Sequence, residues 1–212
     1  MSLKTYSRKE KVVLEAALQL MFLNGYEAVT TQAVAERLAI SQVYLEEMYP
    51  ACDELQMSAM TYAAVVWVKK TKEELAKIAD PEQRFRRLVR LYAEGTGNYP
   101  ESLSLYLDAW KLLRDRRRNV ELIRSVLFEI YDLYVGLFIK TVEQIGTIQA
   151  DKQLVETIAW IFVVISDGFH IQSLIQNRLP DFDKISDVLF LLTGGLGKEG
   201  IDEKCLSVLP KN

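Results

Sequence analysis

The sequence predicts an all-α protein in which a small three-helix head precedes a larger helical body. Three observations lead there. Apolar residues recur at helical spacing through almost the whole chain, and few segments alternate as strands do. Strong turn signals at Asp80-Pro81, Gly95 to Pro100, Leu179-Pro180-Asp181 and Gly194-Gly195 cut the chain into long segments. The first fifty residues, by contrast, are cut into pieces too short for anything but a compact corner.

The elements follow in order. Val13, Ala17, Leu20 and Met21 form one stripe of a first helix, which Gly25 stops and against which Tyr26 packs back. Thr30 is placed to cap a short second helix carrying Val34, Ala35 and Leu38. Ser41 is placed to cap a third, running to about Tyr49, where Pro50 ends it. A long apolar-rich helix is expected from Asp53 to Ala79. Further helices are expected over Glu82–Glu94, Glu101–Arg114, Val120–Ile145, Lys152–Gln176 and Phe182–Thr193. The domain boundaries drawn from this pattern are 1–52 for the head, 53–196 for the body and 197–212 for a loosely held tail.

Composition narrows the chemistry. Of 212 residues, 50% are hydrophobic, enough to bury a core, and the formal net charge is −3. Cys52 and Cys205 lack CxxC spacing and read as free thiols, and with a single histidine, His170, no metal site is expected. His170 lies one helical turn from Asp167, which reads first as a core or interface pair. No serine stands beside a base and no Gly-rich phosphate loop occurs, so no enzyme activity and no cofactor are expected. The longest apolar runs, Ala63 to Val68 and Ile158 to Ile165, fall short of the ~20 residues that span a bilayer. Met1 to Arg8 lacks an apolar signal core, so a cytoplasmic protein with no membrane partner is expected.

The segment from Val34 to Ser41 places small Ala35 where two helices must cross closely, then a tight turn, then a new helix. That is a helix-turn-helix layout, whose second helix offers its first side chains to a major groove. With Ala16-Ala17, Leu20 to Phe22, Gly25-Tyr26, Thr30-Thr31, Val34-Ala35, Ile40-Ser41, Leu45, Tyr49 and Asp53 to Leu55, the chain resembles the TetR family of regulators without a gap from about Val12 to Leu55. Trp110 with the basic turn after it, and Ser166-Asp167-Gly168-Phe169, resemble the C-terminal domains of one large TetR subgroup. The resemblance implies a helix-turn-helix DNA-binding domain, a larger helical ligand-binding and dimerisation domain, and a homodimer that regulates transcription, most simply as a repressor. It departs from the family at three places: Val43 stands where most members have Gly, Glu46 where they have Tyr, and Cys52 where they have Lys-like chemistry.

The site residues expected on this basis fall into three groups. For operator DNA they are Thr30, Thr31, Gln42, Val43, Tyr44 and Tyr49. Thr30 and Thr31 read either as a plain cap or as phosphate donors at a helix start, and Gln42 suits bidentate contact with adenine. Glu47 reads as solvated. For a small-molecule effector, apolar or cationic, they are Tyr62, Trp67, Tyr106, Asp108, Trp110 and Tyr131, with Asp132 as a further carboxylate. For the dimer they are Ile158, Ile161, Phe162, Ile165, Phe169, Leu189 and Leu192, on stripes too broad for a solvated pair of helices. Residues 1–50 carry five basic side chains, Lys4, Arg8, Lys9, Lys11 and Arg37, against six glutamates, so the head has no positive balance. Lys4, Arg8 and Lys9, ahead of the first helix, read equally as an arm toward a neighbouring groove or as a solubilising terminus. The run Arg114, Arg116, Arg117 and Arg118 reads first as a solvated corner, with contact to DNA or to an acidic face of the head as its alternative.

Overall fold

Ser7 starts the first helix, α1 (Arg8–Asn24), through a closed capping box: its Oγ accepts from the Glu10 N–H at 3.2 Å, and Glu10 accepts from the Ser7 N–H at 2.7 Å. Those bonds hold the Glu10 carboxyl below its ordinary range. Arg8 and Lys9 therefore belong to the first turn of α1, rather than to an arm ahead of it. Gly25 ends α1 at φ 84°, a conformation open to glycine without strain, and donates to the Met21 carbonyl at 2.9 Å. A 3-10 turn over Tyr26–Ala28 follows, with Tyr26 buried.

The computed structural model describes residues 4–94, 110–114, 118–144, 152–176 and 181–194, and every regular element among them is helical. Thr30 caps α2 (Thr31–Leu38), its Oγ1 accepting from the Ala33 N–H at 3.0 Å. Ala39 closes α2 in the left-handed region at φ 53°, and Ile40 donates to the Ala35 carbonyl at 3.0 Å. Ser41 stands at the N-cap of α3 (Gln42–Met48), but its side chain makes no cap bond, unlike the cap expected of it. Beyond α3 come α4 (Cys52–Leu75), α5 (Pro81–Glu94), α6 (Val120–Glu143), α7 (Lys152–Gln176) and α8 (Phe182–Gly194). Of the helix expected over 101–114, residues 101–109 lie outside the described residues and 110–112 are helical. The expected tail, 197–212, lies outside them too.

α4 stops at Leu75, four residues before the expected Ala79. Beyond it Lys77 and Ile78 donate to the Glu74 and Leu75 carbonyls in a tighter turn, and the Arg84 Nε and Nη2 donate to the Ile78 carbonyl at 3.1 and 2.8 Å. Asp80 then caps α5, accepting from the Gln83 N–H at 2.7 Å.

By packing, the chain divides into two compact units, residues 1–69 with 98–133 and residues 70–97 with 134–212. In the first, α1 packs on α2 and α2 on α3. Leu14, Met21, Leu45, Leu55, Met57, Ile123 and Ile130 are fully buried there. Gln56 of α4 is also buried, and its Nε2 donates to the carbonyls of Val29 at 2.8 Å and Tyr26 at 3.2 Å, tying α4 to the turn before α2. Arg118 is the second tie. It donates to Asp53 Oδ1 at 2.7 Å and pairs with Glu27, while the Asn119 N–H donates to Asp53 Oδ2 at 2.9 Å. The Arg118 side chain is 18% exposed and that of Asp53 13%, so this end of the basic run is a clamp on an acidic face rather than a solvated corner.

In the second unit, Phe85, Leu88, Val89 and Tyr92 give α5 a buried face at i, i+3, i+4 and i+7, packed on α7 and α8. Phe85 and Phe138 meet edge to face at 5.6 Å, and Phe162 lies 5.0 Å from Tyr92 and 4.9 Å from Phe138. Arg86 and Arg90 of α5 also pair with Asp187 and Asp183 of α8. Each buried aromatic or leucine contributes roughly 1.5–3 kcal/mol and each exposed ion pair about 0–1, so the apolar face holds α5 and the charges fix its register.

Two substitutions test the ties in the first unit. Gln56→Leu keeps the bulk but leaves two buried carbonyls short of a donor, and is expected to lower unfolding stability by about 2 kcal/mol. Urea denaturation measures it, and an unchanged midpoint would show the tie to be idle. Arg118→Met strands the Asp53 carboxylate and is expected to cost roughly 2 kcal/mol, less than for a fully enclosed pair. A double-mutant cycle with Asp53→Asn checks this: the double variant should lose clearly less than the two single losses combined.

Candidate nucleic-acid interface

α3 is seven residues long and owes its position to its buried side. Leu45 is fully buried and Tyr49, just past its end, is 7% exposed. Burial, and after it the nearby Glu10, push the Tyr49 hydroxyl up to about 12, so it stays neutral. Val34 and Ala35 of α2 are buried as well, so the small side chain lies at the packed side of α2, as the helix-turn-helix layout requires.

The opposite side of α3 is open. Gln42 is exposed, Val43 is 62% exposed and Tyr44 is 37% exposed. The Gln42 Nε2 donates to Glu46 Oε1 at 2.7 Å, one turn along the same helix. Glu46 thus engages the amide donor best suited to a base edge. Val43 adds an apolar surface that a glycine would not. Tyr44 sits near α1, with the Lys9 ammonium 6.0 Å from its ring centroid, and a groove of about 390 Å³ runs between them, lined by Arg8, Lys9, Val12, Ile40 and Tyr44. The structure therefore brings Arg8 and Lys9 beside α3, a proximity that their separation in sequence did not reveal.

Thr30 is half-buried and its oxygen accepts the Ala33 cap bond, with its hydroxyl hydrogen left for another acceptor; Thr31 is 8% exposed. Glu46 and Glu47 are exposed, and Cys52 is half-buried at the start of α4. Arg37 donates to Gln19 at 2.8 Å, joining α2 to α1. The face as a whole offers a helix of mixed polarity flanked by two cations and two carboxylates.

Of the residues expected around an effector, Tyr62, Trp67, Trp110 and Tyr131 fall in the first unit. Tyr62 is 7% exposed, donates to Glu15 at 2.7 Å and meets Tyr6 edge to face at 5.2 Å. Trp67, Trp110 and Tyr131 are half-buried, and Asp132 is exposed. Tyr106 and Asp108 lie outside the described residues. Of the dimer candidates, Ile158, Phe162 and Leu189 are buried within one copy, whereas Ile161 and Ile165 are 50% and 41% exposed. The side chains of Phe169, His170 and Leu192 lie outside the described residues. Among the described residues no cluster of metal-binding side chains occurs, and no helix is long and apolar enough to cross a membrane. The sequence offered contact of the basic run with an acidic face of the head only as its second reading, and the partners, Asp53 and Glu27, appear only in the fold.

Residues 13–45 match the family described as bacterial regulatory proteins, tetR family. No curated protein matches the sequence. Solved structures match over most of their length. A putative transcriptional regulator from Saccharomonospora viridis in complex with choline is 24% identical, with 88% of this chain and 96% of that one covered at a TM-score of 0.64. A TetR transcription regulator from Haloarcula marismortui is 13% identical, with 90% and 98% covered at 0.68. The multidrug binding protein EbrR complexed with proflavin is 18% identical, with 87% and 99% covered at 0.61. Residues 13–45 thus match the tetR family by sequence, and the chain as a whole shares its all-helical fold with solved transcriptional regulators, one of them of the TetR type.

Proposed function

We propose that this protein is a transcriptional regulator that binds operator DNA as a homodimer and leaves it when a small molecule binds. The observation that carries the reading is the open face of α3, where Gln42, Val43 and Tyr44 stand clear of the core behind a helix-turn-helix crossing. Two such heads, one from each copy, dock on successive major grooves roughly 34 Å apart. An effector that prefers a different spacing of the heads lowers DNA affinity in proportion to its preference for that state, which makes the regulator a repressor in the simplest case. Trp67, Trp110 and Tyr131 are the described side chains we assign to the effector, apolar or cationic. The choline held by the Saccharomonospora protein and the proflavin held by EbrR support a ligand of this kind. Thr30 and Thr31 would serve phosphates at the start of α2, while Tyr49 acts from beneath by holding α3.

A second reading has its own observation. The Gln42 amide is held by Glu46, and the first fifty residues carry more acid than base, which suits a ligand- or protein-binding dimer that has lost ordinary DNA affinity. A mobility-shift assay on the DNA flanking the gene separates the two, run at two salt concentrations for the natural protein and for Glu46→Tyr with Cys52→Lys. Under the first reading both proteins bind. The double variant binds more tightly, and its salt dependence steepens by roughly 0.9 for each further phosphate that is neutralised. If neither binds even at low salt, the second reading stands.

The homodimer has a separate support. Ile161, Val164 and Ile165 lie at i, i+3 and i+4 on α7 and are 50%, 60% and 41% exposed, and Val188 of α8 is 44% exposed. An apolar stripe of this kind suits a four-helix seam between two copies. Sedimentation should give a dimer for the natural protein and a monomer for Ile161→Glu with Val164→Glu. A monomeric natural protein at micromolar concentration would remove the dimer from the proposal.

A further inference from the structure

The second unit contains a groove of about 490 Å³ lined by the ends of α4 and α6 and the start of α5. Lys72 of α4 and Lys140 of α6 both line it, the first half-buried and the second exposed. Among the described residues neither ammonium has a carboxylate within ion-pair distance, although arginines nearby on α5 are paired with Glu74, Glu82 and Asp187. Burial, and after it the charge of Lys140, lower the Lys72 pKa from its ordinary value. A lysine in the last turn of a helix complements the helix dipole, which accounts for each of them separately. It does not account for two of them facing one groove with no counter-charge among the described residues, an arrangement that an entering anion would relieve.

The rest of the lining fits that occupant. Arg84 is held by the Ile78 carbonyl and donates through Nη1 to Gln144 Oε1 at 2.7 Å. That bond fixes the Gln144 amide by its oxygen, so its Nε2 donors remain for a ligand. Leu75 and Leu137 supply apolar wall beside the charges.

We propose that this groove binds a small organic anion, its carboxylate or phosphate between Lys72, Lys140 and the Gln144 amide, its apolar part against Leu75 and Leu137. The ligand differs in charge from the apolar or cationic effector assigned to the first unit, and its binding does not depend on whether α3 docks on DNA.

Calorimetric titration of the full-length protein with octyl phosphate, octanoate and octyltrimethylammonium tests the site, because the three share a tail and differ in the head. At least one of the two anions should bind, and the cation should not. Lys72→Gln and Lys140→Gln should each weaken the anion by roughly tenfold or more, the loss expected for one charge-assisted hydrogen bond, while Lys72→Arg and Lys140→Arg keep it. Should a glutamine variant misfold, the natural protein labelled at lysine Cε gives the same answer, since octyl phosphate or octanoate should shift the Lys72 and Lys140 signals by NMR. The proposal is overturned if neither anion binds at millimolar concentration, if the cation binds as well as they do, or if the glutamine variants bind unchanged. Which anion binds tells a carboxylate site from a phosphate site.

Discussion

Asp53 is the point on which the first unit turns. Its two oxygens are shared between the Arg118 guanidinium and the Asn119 N–H, and Arg118 reaches on to Glu27. The start of α4, the start of α6 and the 3-10 turn before α2 are thereby fixed to one another. Taking charges out of water is costly, and the arrangement is sustainable because Arg118 and Asp53, the two enclosed charges, are each met by more than one partner. The hydrogen bonds that Arg118 donates to Glu27 and Asp53 raise its pKa above its already high ordinary value, so the clamp does not titrate away from the cation's side. Since Asp53 follows α3 by only a few residues, the clamp also fixes where the chain leaves that helix.

α3 itself shows how a buried constraint and an open surface separate on a short element. Leu45 and Tyr49 anchor α3 on one side. The other side is then free to vary in chemistry without cost to the fold. Here it carries a glutamine engaged by a glutamate and an exposed valine, with Lys9 drawn up beside Tyr44. The positive charge this face has available comes from the first turn of α1 rather than from α3 itself. Any affinity for a polyanion therefore depends on how α1 and α3 are held together, more than on α3 alone.

The second unit is organised by aromatic packing around Phe138, with Phe85 and Phe162 on either side and Tyr92 beyond. The Tyr92 hydroxyl donates to the Tyr134 carbonyl, which satisfies its one polar atom inside the core, and burial drives its pKa upward. Arg86 and Arg90 add charge on the margin of the same helix pair. Dispersion and apolar burial supply the stability, while the ion pairs exclude slipped registers in which like charges would meet.

The sequence by itself determined the all-helical class, the stop at Gly25, the cap at Thr30, the helix-turn-helix crossing at Ala35 and the span of α7, because each rests on local periodicity or on a single residue's backbone preference. Tertiary structure decided what local rules could not reach. α4 ends at Leu75, and in the turn beyond it the Ile78 carbonyl is satisfied by Arg84 of the next helix. Ser41 occupies its N-cap without using its hydroxyl. Arg118 is a clamp because Asp53 and Glu27, 65 and 91 residues away, are folded against it. The expected dimer stripe divides into buried Ile158 and Phe162 and exposed Ile161 and Ile165, since only the packing of α5 on α7 settles which side of a uniformly apolar helix is covered. Charge pairing and burial join residues far apart in the chain, and no local pattern carries that information.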